Sequence, residues 1–121
     1  MAGLETRNFN SPDETRTPDK TRVELVNLAG GQIGRYTFQP GWRWSECIKP
    51  VVQTDSCQVE HVGYLLAGRL HVVHDDGTEG ETVEGDVYRI APGHDAWVVG
   101  DEPAVAVEFQ GAAGYAKPLS A

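Results

Sequence analysis

Two imidazoles and two thiols are the groups in this 121-residue chain best suited to hold a metal or move a proton: His61, His94, Cys47 and Cys57. His61 lies in an alternating stretch, 57–66, where Cys57, Val59, His61, Gly63 and Leu65 share one face. An inward imidazole beside a glycine, which leaves room for a ligand, reads as a metal ligand or a general base. The same ring hydrogen-bonded to a neighbour is an ordinary core histidine. His94 follows Pro92-Gly93 and stands either as a ligand at a strand end or as a turn residue. Cys57 has the parity of His61 but sits four residues away, too far along an extended strand to share a ligand, and reads as structural. Glu46 is a candidate pocket carboxylate. Alternation points it opposite to Cys47, so only one of the two lines an interior unless a bulge intervenes. Lys49 reads as a solvated loop charge. His71 and His74 have opposite parities near a hairpin and form no pair on one strand face. Trp42, Trp44, Tyr64, Tyr88 and Trp97 read as sheet packing.

The elements that must position these groups are short strands separated by turns. Candidate strands cover 22–28, 32–38, 42–48, 57–66, 69–74, 78–84, 87–90, 94–99 and 104–109, with 49–56 as a loop. Asp76-Gly77 is a strong hairpin signal. Gly30-Gly31, Pro40-Gly41, Gly68, Gly85, Pro92-Gly93 and Gly100 punctuate the rest. No sustained helical period occurs, so the pattern predicts an all-β antiparallel sandwich or barrel. Residues 1–21 are polar and read as an irregular N-terminal arm, 22–110 as the β-barrel domain, and 111–121 as a C-terminal tail or short cap.

The length suits one domain with one real hydrophobic core, which buries roughly two-thirds of the unfolded surface. Hydrophobic residues are 40% and charged residues 23% of the chain, with 14 Gly and 7 Pro, in keeping with a turn-rich globular protein. A net charge of -8 argues against nucleic acid and anionic membranes as partners. No apolar run approaches the ~20 residues of a membrane helix, and the first twenty residues lack the apolar stretch of a signal peptide. A cytoplasmic protein is the expectation. There Cys47 and Cys57 are thiols, with a Cys47–Cys57 bridge as the alternative.

The run His61-Val-Gly-Tyr-Leu-Leu-Ala-Gly68, then Arg69-Leu-His-Val-Val, Asp76-Gly77 and Gly85-Asp-Val-Tyr-Arg-Ile-Ala-Pro-Gly93, resembles the cupin superfamily over about residues 33–109. The family's motifs are G-x5-H-x-H-x3,4-E-x6-G and G-x5-P-x-G-x2-H-x3-N. Trp42-Arg-Trp-Ser-Glu46, Asp55-Ser-Cys57 and 92–99 are similar to an uncharacterised bacterial subgroup with a rearranged ligand set. The resemblance implies a double-stranded β-helix (jelly-roll) barrel, commonly a homodimer, with a small-molecule ligand or metal inside. The chain departs from the family's pattern at each ligand position. Spacing from Gly41 puts Cys47 at the first His and Lys49 at the second. Counting back from Gly68 puts His61 at the Glu, Ala96 stands at the last His, and His94 lies two residues before it. The implied metal set is therefore His61, His94 and Cys47, where Cys47 is either a thiolate ligand or a small buried hydrophobe. The ion is a divalent zinc, iron, manganese or nickel rather than magnesium or calcium. Three functions stay open: a metal-dependent enzyme of oxygenase, hydrolase or lyase type, a metal-free isomerase or lyase with His61 as general base, and a non-catalytic small-molecule binder.

Overall fold

The structure is a computed structural model, and it describes residues 3–112 and 115–117. Nine strands follow one another as β1 (Glu14–Arg16), β2 (Thr21–Leu28), β3 (Gly31–Phe38), β4 (His61–Ala67), β5 (Arg69–His74), β6 (Glu79–Val83), β7 (Val87–Ile90), β8 (His94–Val98) and β9 (Ala104–Gln110). Two four-residue helical turns, α1 (Trp44–Cys47) and α2 (Lys49–Val52), lie between β3 and β4. One sheet has the order β1-β2-β3-β9-β4-β7 and the other β6-β5-β8, with every pairing antiparallel. Two facing antiparallel sheets joined in this way make the expected all-β jelly-roll barrel.

Alternation builds the interior. Val23 and Leu25 of β2, Tyr36 and Phe38 of β3, Leu65 of β4, and Ala104 and Ala106 of β9 are buried from one sheet; Leu70, Val72, Ala96 and Val98 are buried from the other. The chain passes from the large sheet to the small one at Gly68, whose φ is +86°. A Cβ there would stand 2.5 Å from the Pro103 carbonyl oxygen, so the crossing requires glycine. The Asp76-Gly77 hairpin forms as read, with Asp76 Oδ1 accepting hydrogen bonds from the Thr78 backbone N–H and hydroxyl.

Two sequence expectations change here. The 42–48 stretch is not a strand: Arg43 makes an isolated bridge to Trp97, and the chain then turns into α1. Trp44, Cys47 and Ile48 are buried together at helical spacing, a pattern that alternation over so few residues cannot be told from. The Asp95 carboxylate accepts the Ser45 N–H, and Arg43 stacks 4.2 Å over the Trp97 ring, which ties this turn to β8. The 49–56 loop likewise contains α2, with Pro50 in its first turn, where a missing N–H is harmless.

At the ends of the chain, the arm is irregular except for β1, which pairs with β2. Within the expected tail, Ala112, Tyr115 and Ala116 are buried against the core. Residues 1–2 of the arm, and 113–114 and 118–121 of the tail, lie outside the described residues.

Leu65 is fully buried at the centre of β4, the strand that begins with His61. Leu65→Ala is expected to lower stability by about 2–5 kcal/mol, read from the denaturation midpoint at unchanged slope.

Candidate metal centre

His61 is the first residue of β4 and its side chain is buried. Its Nδ1 lies 2.5 Å from Glu108 Oε1, and the other Glu108 oxygen accepts the Tyr88 hydroxyl at 2.6 Å. The register explains this arrangement. Gly63 is the cross-strand partner of both Glu108 on β9 and Tyr88 on β7. A Cβ on Gly63 would meet the Tyr88 hydroxyl at 2.8 Å and Glu108 Cγ at 2.9 Å. The space that Gly63 leaves is thus filled by the Glu108–Tyr88 bridge rather than kept for a ligand, as the sequence had suggested.

Three donors converge beside this bridge. One ligand atom each from Cys57, His61 and His94 lies within 4.8 Å of the others, and all three residues are buried. Cys57 Sγ is 3.6 Å from His61 Nε2. His94, first residue of β8, has its Nδ1 2.8 Å from the Ala91 carbonyl oxygen; an oxygen that can only accept requires the proton on Nδ1 and leaves Nε2 as the bare nitrogen. Cys57 is held against the start of β8 by three backbone bonds: its N–H donates to the His94 carbonyl at 2.7 Å, and its own carbonyl accepts the Gly93 N–H at 2.7 Å and the His94 N–H at 3.3 Å. Behind it, the Ser56 hydroxyl donates to Asp75 at 2.8 Å.

The thiol beside the two histidines is therefore that of Cys57, not Cys47. Cys47 is buried on α1, with its sulfur 3.8 Å from Asp19 Oδ2, outside the cluster. Both cysteines are free thiols. Cys57 had been set aside on the premise of an extended strand from 57 to 66. The strand starts only at His61; Cys57 instead bridges His94 of the small sheet, and its sulfur lies 3.6 Å from His61 Nε2. The sequence reading does not single out Glu108 and takes Tyr88 as sheet packing, where its hydroxyl in fact holds Glu108. The legible signal for Glu108 was an acidic residue at the inward parity of Ala104 and Ala106 in the otherwise apolar run 104–109. Glu46 is exposed. Lys49 is half-buried on α2, and His71 stacks on Trp97 at 4.7 Å, away from the cluster. His74 packs 5.7 Å from the His94 ring and reaches the Ala91 carbonyl at 3.2 Å.

Burial by itself would push the Cys57 thiol up. The hydrogen bond to His61 and the charge of its imidazolium, helped by the adjacent His94, outweigh it and bring the thiol down to about 6. Burial would also hold the His61 imidazolium down, but the Glu108 charge and the hydrogen bonds to Cys57 and Glu108 raise it to about 9. Burial pushes the Cys47 thiol the other way, upward. Two buried polar atoms, Tyr36 Oη and Trp42 Nε1, have no hydrogen-bond partner among the described residues. Both residues line, with His61 and His94, a narrow cavity of about 30 Å³, room for about one water-sized group.

No protein-family model and no curated protein matches this chain. Solved structures do. KdgF from Halomonas sp. is 13% identical, with 88% of this chain and 91% of that chain covered, at a TM-score of 0.58. A DUF1255 protein of unknown function from Acidithiobacillus ferrooxidans is 19% identical, with 80% and 86% covered, at 0.57. A cupin-like protein from Thermotoga maritima is 18% identical, with 73% and 65% covered, at 0.50. At such identities the likeness is one of fold alone. No helix among the described residues is long and apolar enough to cross a membrane.

In metal-free protein, thiolate absorbance near 240 nm from Cys57 is expected to rise with a midpoint near pH 6, and His61→Ala to move that midpoint upward. A Cys47→Ser background isolates the signal. A midpoint left in the ordinary thiol range would show that the two imidazoles do not act on this sulfur.

Proposed function

We propose that this domain is a small cupin whose barrel holds one divalent metal ion on Cys57 Sγ, His61 Nε2 and His94 Nε2, and that it acts on a small molecule brought to that ion. One observation carries the reading. Each histidine has its Nδ1 fixed on an acceptor, Glu108 for His61 and the Ala91 carbonyl for His94. His61 Nε2 stands 3.6 Å from the buried Cys57 sulfur, and a ring nitrogen of His94 lies within 4.8 Å of both. Metal-binding histidines are oriented in this way, with the second ring nitrogen donating to a carboxylate or carbonyl.

The donor set fits a metal on further grounds. Bonds of about 2.1–2.3 Å in a tetrahedral site place the ligand atoms about 3.6 Å apart, and Cys57 Sγ stands 3.6 Å from His61 Nε2. A thiolate with two imidazoles suits zinc better than magnesium or calcium. Three protein ligands leave a position for water or substrate, as in catalytic zinc sites.

When bound, such an ion supplies Lewis-acid chemistry, polarising a carbonyl or lowering the pKa of a coordinated water. That favours a hydrolase- or lyase-type activity over an oxygenase, because zinc has no redox chemistry of its own. The protein's residues do the positioning: Glu108 orients the His61 ring, Tyr88 fixes Glu108, and the apolar walls of Phe38, Leu70 and Val72 exclude bulk water. The alternative of a metal-free enzyme with His61 as general base has less support. A ring whose pKa lies near 9 is already protonated at neutral pH and is a donor rather than a base.

Protein purified without a histidine tag and dialysed against zinc is expected to carry one equivalent of metal by elemental analysis. Cys57→Ser, His61→Ala and His94→Ala should each reduce affinity by about 10–100-fold or more, and Cys47→Ser should bind as wild type does. Retention of full metal by the Cys57 and His61 variants together would refute this centre.

A further inference from the structure

The cluster is bounded on one side by the narrow inner cavity and on the other by a second pocket. That outer pocket holds about 190 Å³ and is walled by Ile48 and Val52 of the helical turns, Thr54 and Gln58 of the following loop, and Lys117. Trp44 and Tyr115 line both spaces and so form the partition between them. Cys57 faces the outer pocket, whereas His61 and His94 line the inner cavity. The three donors therefore straddle the partition.

Tyr115 is the half of this wall that lies outside the strands and helices. Its ring stacks on Tyr36 at 4.7 Å and stands 5.4 Å from the His61 ring. Its backbone belongs to no strand or helix. The carbonyls of Ala112 and Tyr115 are gripped from outside by Arg16 Nη1, at 3.3 and 2.6 Å, which latches the segment onto β1. The Tyr115 backbone N–H donates to the Ala112 carbonyl at 3.3 Å, and a buried side chain outside the strand ladders is the kind that opens locally without global unfolding. The inner cavity, at about 30 Å³, admits no organic molecule while Tyr115 is in place.

We propose that the outer pocket is the binding site for a small, largely apolar molecule with one anionic end, and that Tyr115 is the movable wall through which it reaches the cluster. The pocket is below the ~300 Å³ lower end of ordinary ligand sites, so its occupant is about one ring in size. Trp44, Ile48 and Val52 provide the apolar surface, and Lys117 is the cation at the rim of a protein with a net charge of -8. A rival route exists at a third pocket of about 290 Å³, which shares Val72, Tyr88 and Ile90 with the inner cavity but is lined by none of the three donors. The access route serves the metal centre proposed above. Its test uses metal-free protein, so either reading can fail without the other.

Full-length protein stripped with a chelator is treated with iodoacetamide at one fixed pH, and labelling of Cys57 and Cys47 is followed separately by peptide mass spectrometry. Cys47 is as buried as Cys57, at 4% against 2% exposure, and serves as the internal control. Tyr115→Ala is expected to speed Cys57 labelling by about tenfold or more and leave Cys47 unchanged. Val52→Trp, which fills the outer pocket from a half-buried position, should slow Cys57 below wild type, and Ile90→Ala should leave it unaltered. Benzoate, one ring with one anionic end, should protect Cys57 in wild type and not in Val52→Trp. If Tyr115→Ala accelerates both thiols, the variant has loosened generally, and the Val52→Trp rate decides. Acceleration by Ile90→Ala with no response to Val52→Trp would assign access to the rival route. Absence of benzoate protection would overturn the proposed occupant.

Discussion

The contact between Glu108 and His61 organises this interior. A carboxylate taken into an apolar barrel is costly unless it is paired and hydrogen-bonded. Glu108 is 3% exposed, and the His61 Nδ1–H and the Tyr88 hydroxyl occupy its two oxygens. The pairing is possible because Gly63 sits between Glu108 and Tyr88 in the sheet and has no side chain to hold them apart. Three neighbouring strands are thereby tied through side chains as well as through their backbone ladder. The His61 ring is left with one orientation, its Nε2 directed at Cys57.

Everything proposed for the site follows from that orientation. With His61 Nδ1 committed to Glu108 and His94 Nδ1 to the Ala91 carbonyl, the remaining nitrogens meet a single thiol in a space from which water is largely excluded. The same surroundings lower the Cys57 pKa and raise that of His61, as expected of a thiolate–imidazolium pair that a cation would replace. The aromatic packing around the cluster, Tyr36 on Tyr115 and Phe38 on Trp42 at 4.0 Å, leaves little interior volume. This barrel accordingly presents its chemistry at a partition between two spaces and not at the bottom of an open cup.

Where the sequence misled, it did so over short segments. Alternation was trusted across 42–48 and 57–66. In each, the chain leaves the strand for only a few residues, through a helical turn in one and through a Cys57–His94 bridge to the other sheet in the second. Those few residues decide which cysteine joins the histidines. The turn carries Cys47 toward Asp19, and the bridge to His94 holds the Cys57 sulfur 3.6 Å from His61 Nε2. A family spacing rule counted from Gly41 could not detect either, because α1 and α2 occupy the stretch over which the count was made.

The chain's alternation, its glycine and Pro-Gly turns and the Asp76-Gly77 hairpin were enough to determine an all-β antiparallel sandwich or barrel with His61 and Leu65 on one inward face, because strand period and turn chemistry are local properties. The identity of the third donor, the Glu108–Tyr88 bridge over Gly63 and the burial of Tyr115 were decided only in three dimensions. Each depends on register between strands 20 to 47 residues apart, or on where a chain end comes to rest. Such distances are set by the packing of the whole barrel, and no local pattern encodes them.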